Sequence, residues 1–363
     1  MDVAVIFGGR SGEHEISLLS ARSIINALDP DKYRLIEIGI THEGQWYAGE
    51  DALERFSAGD VSGLDPVSLP PEPGDRTLYA WHADGSHWEY AELDILFPVL
   101  HGTYGEDGTL QGLLEMADIP YVGAGVLASA VGMDKALFKR LMSAHNLPVL
   151  PAVLILSSVI HASMERAVEA AERLGSYPYF VKPANLGSSV GVSKCRNRSD
   201  LIEGLLDAAR YDRRVIAEVG VRAREIEVSV LGNESVEASI AGEIVPSDEF
   251  YSYRAKYIDD ASELLIPAPI PEEIAEEARR LAIKAFEAID GAGLARVDFL
   301  LDRDTDRLYL NELNTMPGFT RISMYPKLWE ASGLPYPALV DRLIELGWAR
   351  FEQKDQLERR YRA

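Results

Sequence analysis

Two runs near the C-terminal end carry the clearest chemistry. ARVDFLLD (295–302) and RLYLNELN (307–314) read as β-strands around an acidic turn of Arg303, Asp304, Thr305 and Asp306. The simplest hairpin register sets Leu300 opposite Leu310, Asp298 opposite Glu312 and Arg296 opposite Asn314. Side chains alternate along strands, so these residues share one face. Facing carboxylates repel, so such a face needs a counter-charge. Asp, Glu and Asn oxygens are hard ligands suited to Mg²⁺ or Mn²⁺, and Mg²⁺ typically takes one or two carboxylates plus substrate phosphates. The competing reading is an exposed acidic sheet face, which fits the apolar flanks less well. Arg296 stands beside the proposed metal. Its guanidinium fork suits oxyanion stabilisation, or equally a salt bridge to Glu312.

A second candidate lies upstream. The strand YFVK delivers Lys182, and Pro183-Ala-Asn-Leu-Gly-Ser-Ser-Val-Gly191 follows. Two glycines and two serines offer N–H groups and hydroxyls to phosphate oxygens without obstruction. The loop lacks the Gly-Lys-Ser/Thr of a Walker sequence and leads into a strand, VGVSK. Alone it reads as an ordinary turn; the preceding lysine makes it a phosphate candidate. Lys135 is a second candidate cation.

These residues need elements to position them. DVAVIF (2–7) reads as a buried parallel strand, followed by a helix starting near Ser17 and a strand at 33–40. Residues 58–76 read as an irregular insertion rich in Pro, Gly, Asp and Ser. The strand DILFPVL (94–100), a helix from Thr109 and the strand IPYVG (119–123) complete a βαβ-type first domain. Asp134 is a good N-cap for the next helix, which Asn146 and Pro148 stop. Strands at 149–156, 215–219 and 225–232 and a helix at 272–290 follow, with closing helices near 326–332 and 336–346 and a charged tail. The fold class is α/β (α+β), divided at 1–125, 126–214 and 215–363.

Bulk numbers bound the function. The 363 residues exceed one typical core. A net charge of -22 argues against nucleic acid or anionic membrane as partner, which need a basic face. The single cysteine, Cys195, suits a reducing compartment and reads as a packed residue rather than a nucleophile. No stretch approaches the roughly 20 apolar residues of a membrane span, and Val3 to Phe7 is too short for a secretory segment. The expectation is a soluble, cytoplasmic protein.

The segments GGRSGEHEIS (8–17), LHGTYGEDGTLQG (100–112), VGMDK (131–135), VKPANLGSSVGV (181–192), YRAKY (253–257), ARVDF (295–299) and NELNTMPGFT (311–320), in this order, resemble D-alanine–D-alanine ligases. The resemblance runs from about residue 3 to 346. It implies an ATP-grasp fold with an N-terminal pre-ATP-grasp domain, and a reaction joining two D-alanines through an acyl-phosphate at the expense of ATP, for peptidoglycan precursors. It also implies a homodimer.

Residue by residue, the resemblance assigns Lys135 and Lys182 to ATP phosphates, with Ser188 and Ser189 in a covering loop. Glu218 and the backbone near Val219 and Val221 would bind adenine, and Glu225 the ribose. Asp298, Glu312 and Asn314 would bind two Mg²⁺ (or Mn²⁺) ions. Glu13 would pair with the ammonium of the first D-alanine, with His101 nearby. Arg296 and the Gly318 N–H would form the oxyanion site, and Ser323 and the Met324 N–H would hold the second carboxylate. Pro326 marks a helix start there, and helix N-termini favour anions. Lys256 and Tyr257 match the family's lid, and Glu13, Ser188 and Tyr257 form a hydrogen-bonded trio. Two positions depart: Val219 stands where many relatives carry lysine, and Met324 where leucine is common. Alternatives are a D-alanine–D-lactate or D-alanine–D-serine ligase, and a non-catalytic nucleotide-binding protein on the same fold.

Overall fold

A computed structural model describes residues 1–188, 190–245, 263–320 and 322–358. Three sheets organise them. The first comprises β1 (Asp2–Gly8), β2 (Arg34–Ile40), β3 (Trp46–Ala48), β4 (Asp65–Ser68), β5 (Thr77–Trp81), β6 (His87–Glu92) and β7 (Ile95–Pro98), in the order β6-β5-β4-β3-β2-β1-β7. β1 pairs in parallel with β2 and β7, and β1 is buried from Val3 onward, as a strand covered on both faces must be. The first helix, α1 (His14–Ile25), starts three residues before the expected Ser17. The stretch expected to be irregular contributes β4, in an antiparallel extension built from β3 to β6. IPYVG (119–123) makes one isolated parallel bridge, Leu96 to Tyr121, rather than a full strand. Helices α2 (Ala52–Ser57) and α3 (Thr109–Ala117) flank this sheet.

Two helices follow, α4 (Val126–Met133) and α5 (Lys135–Ala144). Asp134 caps α5 as expected, accepting from the N–H groups of Ala136 and Leu137, and it also pairs with Arg214. The second sheet, in the order β10-β9-β11-β8, joins β8 (Ala152–Leu156), β9 (Tyr179–Pro183), β10 (Ser193–Cys195) and β11 (Arg214–Val219). Helices α6 (Ser157–Ala162), α7 (Met164–Glu172) and α8 (Arg198–Ala208) supply Ile160, Val168, Leu201 and Leu205, which pack with Tyr179, Val181, Val215 and Ala217 of the sheet. Cys195 is buried in that core, and burial pushes its thiol up to about 12, which removes it as a nucleophile. The alternate residues of β11 turn the other way: Ile216 packs with Ala136 of α5.

The third sheet, β14-β13-β12-β15-β16, is antiparallel throughout. Its strands are β12 (Ala223–Gly232), β13 (Val236–Val245), β14 (Glu263–Leu265), β15 (Gly293–Asp302) and β16 (Leu308–Asn314). Ile226, Val228, Val297 and Phe299 bury one face against α9 (Glu272–Ala288), whose Ala278, Leu281, Ala282 and Phe286 recur at helical spacing. The alternating positions Glu225, Glu227, Arg296 and Asp298 line the cleft. The chain closes with α10 (Met324–Ala331) and α11 (Tyr336–Asp355).

One core joins the first and third sheets. Val3, Val5 and Phe7 of β1 belong to the same cluster as Met316, Phe319, Tyr325 and Leu343. Polar ties run along the same seam: Lys32 to Asp341 (2.6 Å), and Arg350 to Glu115 (2.6 Å) and to the Gly123 carbonyl (3.2 Å).

Candidate active site

The hairpin β15–β16 sets Asp298 opposite Glu312 and Arg296 opposite Asn314, as expected. The outer half differs: Leu300 faces Tyr309, not Leu310, and Leu310 faces Phe299. Asn311 is an extra residue between the paired positions Leu310 and Glu312, so β16 bulges there. On the other edge of β16 the Leu310 N–H donates to the Pro148 carbonyl at 2.7 Å.

Arg296 donates two hydrogen bonds of 2.7 Å to the Asp298 carboxylate. Its Nε also lies 2.9 Å from Glu227. The Asn314 amide donates to Asp298 Oδ2 at 3.0 Å. The salt bridge weighed for Arg296 in the sequence was to Glu312; the carboxylates it grips here are Asp298 and Glu227. Two carboxylates and one amide oxygen form a hard donor set, and they are the right number for Mg²⁺ that completes its shell with phosphates and water. Among the described residues no three His, Cys, Asp or Glu side chains come together as a metal cage.

The lysines meet on the facing wall. Lys135, at the start of α5, donates to the Leu186 carbonyl at 2.8 Å and lies 3.6 Å from Glu312. Lys182 pairs in register with Ile216, so Glu218 is its diagonal neighbour on β11. The two form an ion pair of 2.5 Å, and Lys139 of α5 reaches the other Glu218 oxygen at 2.9 Å. Burial alone would raise the Glu218 carboxyl, but the two ammoniums outweigh it and bring it to about 2. Val219, Gly220, Val221 and Glu225 continue the lining. The Val219 N–H is already donated to the Pro151 carbonyl at 3.0 Å.

At the opposite end, Glu13 immediately precedes α1 and accepts a hydrogen bond from the Ser188 hydroxyl. Ser188 holds a left-handed φ of 51°, uncommon for a residue with a side chain and costly unless its surroundings fix it. A Cβ at Gly187 would come within 2.6 Å of Glu13 Oε2, and one at Gly102 within 2.7 Å, so both glycines make room for that carboxylate. Ser189, Lys256 and Tyr257 lie outside the described residues.

His101 is buried, with Nδ1 3.0 Å from the Met316 carbonyl and Nε2 3.0 Å from Ser20 Oγ. A carbonyl only accepts, so Nδ1 carries the proton and Nε2 accepts from Ser20. Ser20 Oγ in turn accepts the Phe319 N–H at 3.2 Å. Both ring nitrogens are thus committed to the loop that carries Gly318. His101 holds that loop in place and lines the cleft beside it. Burial lowers its pKa despite the nearby Glu13, which keeps the ring neutral.

Gly318 lines the cleft, and a Cβ there would sit 2.8 Å from Ser323 Oγ. Ser323 is the N-cap of α10, which begins two residues before Pro326. Its hydroxyl accepts the Thr320 N–H at 3.0 Å, so it folds back on its own turn. The Met324 side chain is buried with Ile244 and Leu328, which leaves its backbone as the part able to meet a ligand.

Three residues in this region carry no role in the sequence reading. Glu106 is buried in the cleft wall and accepts the Gly102 N–H at 2.8 Å. Burial and then Glu13 push its carboxyl up to about 8. Glu227 and Lys139 are the others. Glu106 sits within a motif segment and could have been marked from it; nothing in the local sequence announces the burial of Glu227 or Lys139.

All these walls close on one solvent-open cleft of about 1740 Å³. It brings together Glu13, His101, Lys135, Lys182, Ser188, Glu218, Glu225, Arg296, Asp298, Glu312, Asn314 and Gly318; Ser323 adjoins it at Gly318.

Comparison with known proteins agrees along the whole chain. A family model described as "D-ala D-ala ligase N-terminus" matches residues 2–124, and one described as "D-ala D-ala ligase C-terminus" matches 141–345. The D-alanine–D-alanine ligase of Heliobacterium modesticaldum is 51% identical, covering 98% of this chain and 96% of that protein. That of Thermoanaerobacter sp. is 53% identical, covering 97% and 98%. Among solved structures, the D-alanine–D-alanine ligase of Coxiella burnetii superposes with a TM-score of 0.83 at 37% identity, over 98% and 97% of the two chains. VanG D-Ala:D-Ser ligase of Enterococcus faecalis superposes at 0.84 with 33% identity, over 95% and 99%. Fold, cleft and full-length similarity together place this chain in the D-alanine–D-alanine ligase family.

Proposed function

We propose that this chain joins two D-alanines to D-alanyl-D-alanine, converting ATP to ADP and phosphate, as the family's curated members are named for doing. One observation carries the site assignment: Lys135, Lys182, Glu13, Glu312 and the Arg296–Asp298 pair, carried by parts of the chain far apart in sequence, line one cleft. Lys135 and Lys182 offset phosphate charge. Glu13 receives the ammonium of the first D-alanine, whose carboxylate attacks the γ-phosphorus while ADP leaves. The amine of the second D-alanine then loses a proton and attacks the acyl carbon. Arg296 and the Gly318 N–H face the oxyanion that forms, and phosphate departs. Asp298, Glu312 and Asn314 would hold two Mg²⁺ or Mn²⁺ ions, which neutralise β- and γ-phosphate charge. Glu218, Val219, Val221 and Glu225 form the adenosine end, and Ser323 with the Met324 N–H the second carboxylate site. Ser189, Lys256 and Tyr257 complete the lid in this reading.

The proposal includes a three-part division at 1–125, 126–214 and 215–363, a homodimer and a cytoplasmic location. Among the described residues no helix is long and apolar enough to cross a membrane. The likeness to VanG supports a second reading, D-alanyl-D-serine synthesis. Phosphate release with Mg-ATP and D-alanine, L-alanine, D-serine or D-lactate tests both. D-alanine alone should sustain turnover. Dominant mixed product from D-alanine with D-serine would transfer the chain to the second reading, and no D-alanine-dependent release would remove both.

A further inference from the structure

Lys139 takes no part in the mechanism above, yet it sits under the nucleotide end of the cleft. It follows Lys135 by one turn of α5, is 4% exposed, and places its ammonium 2.9 Å from Glu218 Oε2. Lys182 holds the other oxygen at 2.5 Å. One buried carboxylate therefore sits between two ammoniums, and only one of them, Lys182, lies in the lining of the cleft.

This arrangement matters when a phosphate arrives. For Lys182 to turn toward it, the Glu218 pair must open. A buried carboxylate stripped of its only partner is strongly destabilised, and that penalty would be subtracted from nucleotide affinity. With Lys139 beneath, Glu218 remains compensated after Lys182 leaves. We propose that Lys139 is a positioning residue for nucleotide binding: it retains Glu218 from below and so frees Lys182 to exchange its carboxylate partner for an ATP phosphate.

The electrostatics run the same way. Burial lowers Lys139 although Glu218 opposes it, and the like charge of Lys182 lowers it further. Burial also disfavours charge on Lys182, but Glu218 and Glu312 outweigh it and raise that group. When Lys182 moves off, Lys139 is relieved of a like charge and becomes the stronger partner of Glu218. Arg296 shows the same layout in mirror image, a cation between Asp298 in the metal set and Glu227 behind it.

The inference rests on Lys182 being a phosphate ligand, and the experiment separates the two. ATP and ADP binding is measured by calorimetry, without D-alanine, for Lys139→Met, Glu218→Gln, the double variant and Lys182→Met, with a melting curve for each. Lys139→Met should weaken ATP about tenfold or more while Glu218 is present. The same change made on top of Glu218→Gln should cost less than about twofold, because no buried charge then needs a partner. Lys139→Arg should restore most of the affinity. Equal losses in both backgrounds would reduce Lys139 to packing, and an unchanged affinity in the folded single variant would overturn the proposal. Lys139→Gln replaces the methionine in the same cycle if that variant melts below the assay temperature. Unaltered ATP binding by Lys182→Met would instead sink the phosphate role of Lys182 itself.

Discussion

The two ends of the cleft bury charge in opposite ways. At the lysine end, Glu218 is held by Lys182 at 2.5 Å and Lys139 at 2.9 Å, and these two outweigh its burial and bring its carboxyl to about 2. At the other end Glu106 lies under the electrostatic influence of Glu13, and burial with that like charge drives it toward its protonated form, at about 8. Neighbouring His101 is kept neutral by burial. In the proposed reading, one end receives polyphosphate with lysines whose partners are replaceable, and the other receives an ammonium with Glu13, beside a Glu106 pushed toward its protonated form and a neutral His101. Charge is stored where the ligand's opposite charge will come, and removed where it would compete.

The largest test breaks the site between the two ends. Glu312→Ala should cut turnover by about 1000-fold or more, because it deletes a proposed metal ligand and the carboxylate beside Lys135, while circular dichroism stays that of the folded protein. A wild-type rate would end the metal role. Next, Glu13→Gln should lower kcat/KM for D-alanine by about 100-fold and shift the ATP dissociation constant by less than about threefold. Equal damage to both ligands would erase the division between the ends. A smaller effect is expected of Gly187→Ala, whose Cβ would press Glu13 Oε2 at 2.6 Å: about tenfold in the same constant, with ATP binding spared.

The finest test is pH. Glu106 titrates near 4.5 when unfolded and at about 8 when folded. A raised folded value means its contribution to stability is fully present below about 4.5 and is lost as pH rises toward 8. Glu106→Gln does not titrate, so its melting temperature should gain on the wild type between pH 5 and 8, then level off. The gain corresponds to about 2–4 kcal/mol. A constant difference across that range would show that Glu106 stays ionised, and the contrast with the lysine end would lose half its basis.

Much of this site was legible in the sequence because strand alternation is rigid. Asp298 against Glu312 and Arg296 against Asn314 follow from periodicity two and a short turn. The same rule failed two residues further, where the Asn311 bulge shifts the register beside a hydrogen bond from Leu310 to Pro148, far away in the chain. The strands β3 to β6 were illegible for another reason. β6 alternates only between exposed and half-buried, so polarity carries no period there. Glu218 was expected at adenine, and its union with Lys182 and Lys139 depends on two elements meeting across the cleft wall. His101 was expected near D-alanine, but its hydrogen bonds to Ser20 and Met316 span 81 and 215 residues.

That histidine has a mechanical consequence. It ties the first sheet to the Gly318 loop of the third, over a core the two already share. Those parts form a single anvil. The β8–β11 layer has a core cluster of its own and meets the rest through α5, where Ile216 packs with Ala136, and at Glu13 through Gly187 and Ser188. We expect this layer to be the part that yields when substrates enter, so a tether from it to the anvil should slow turnover with every reacting group intact.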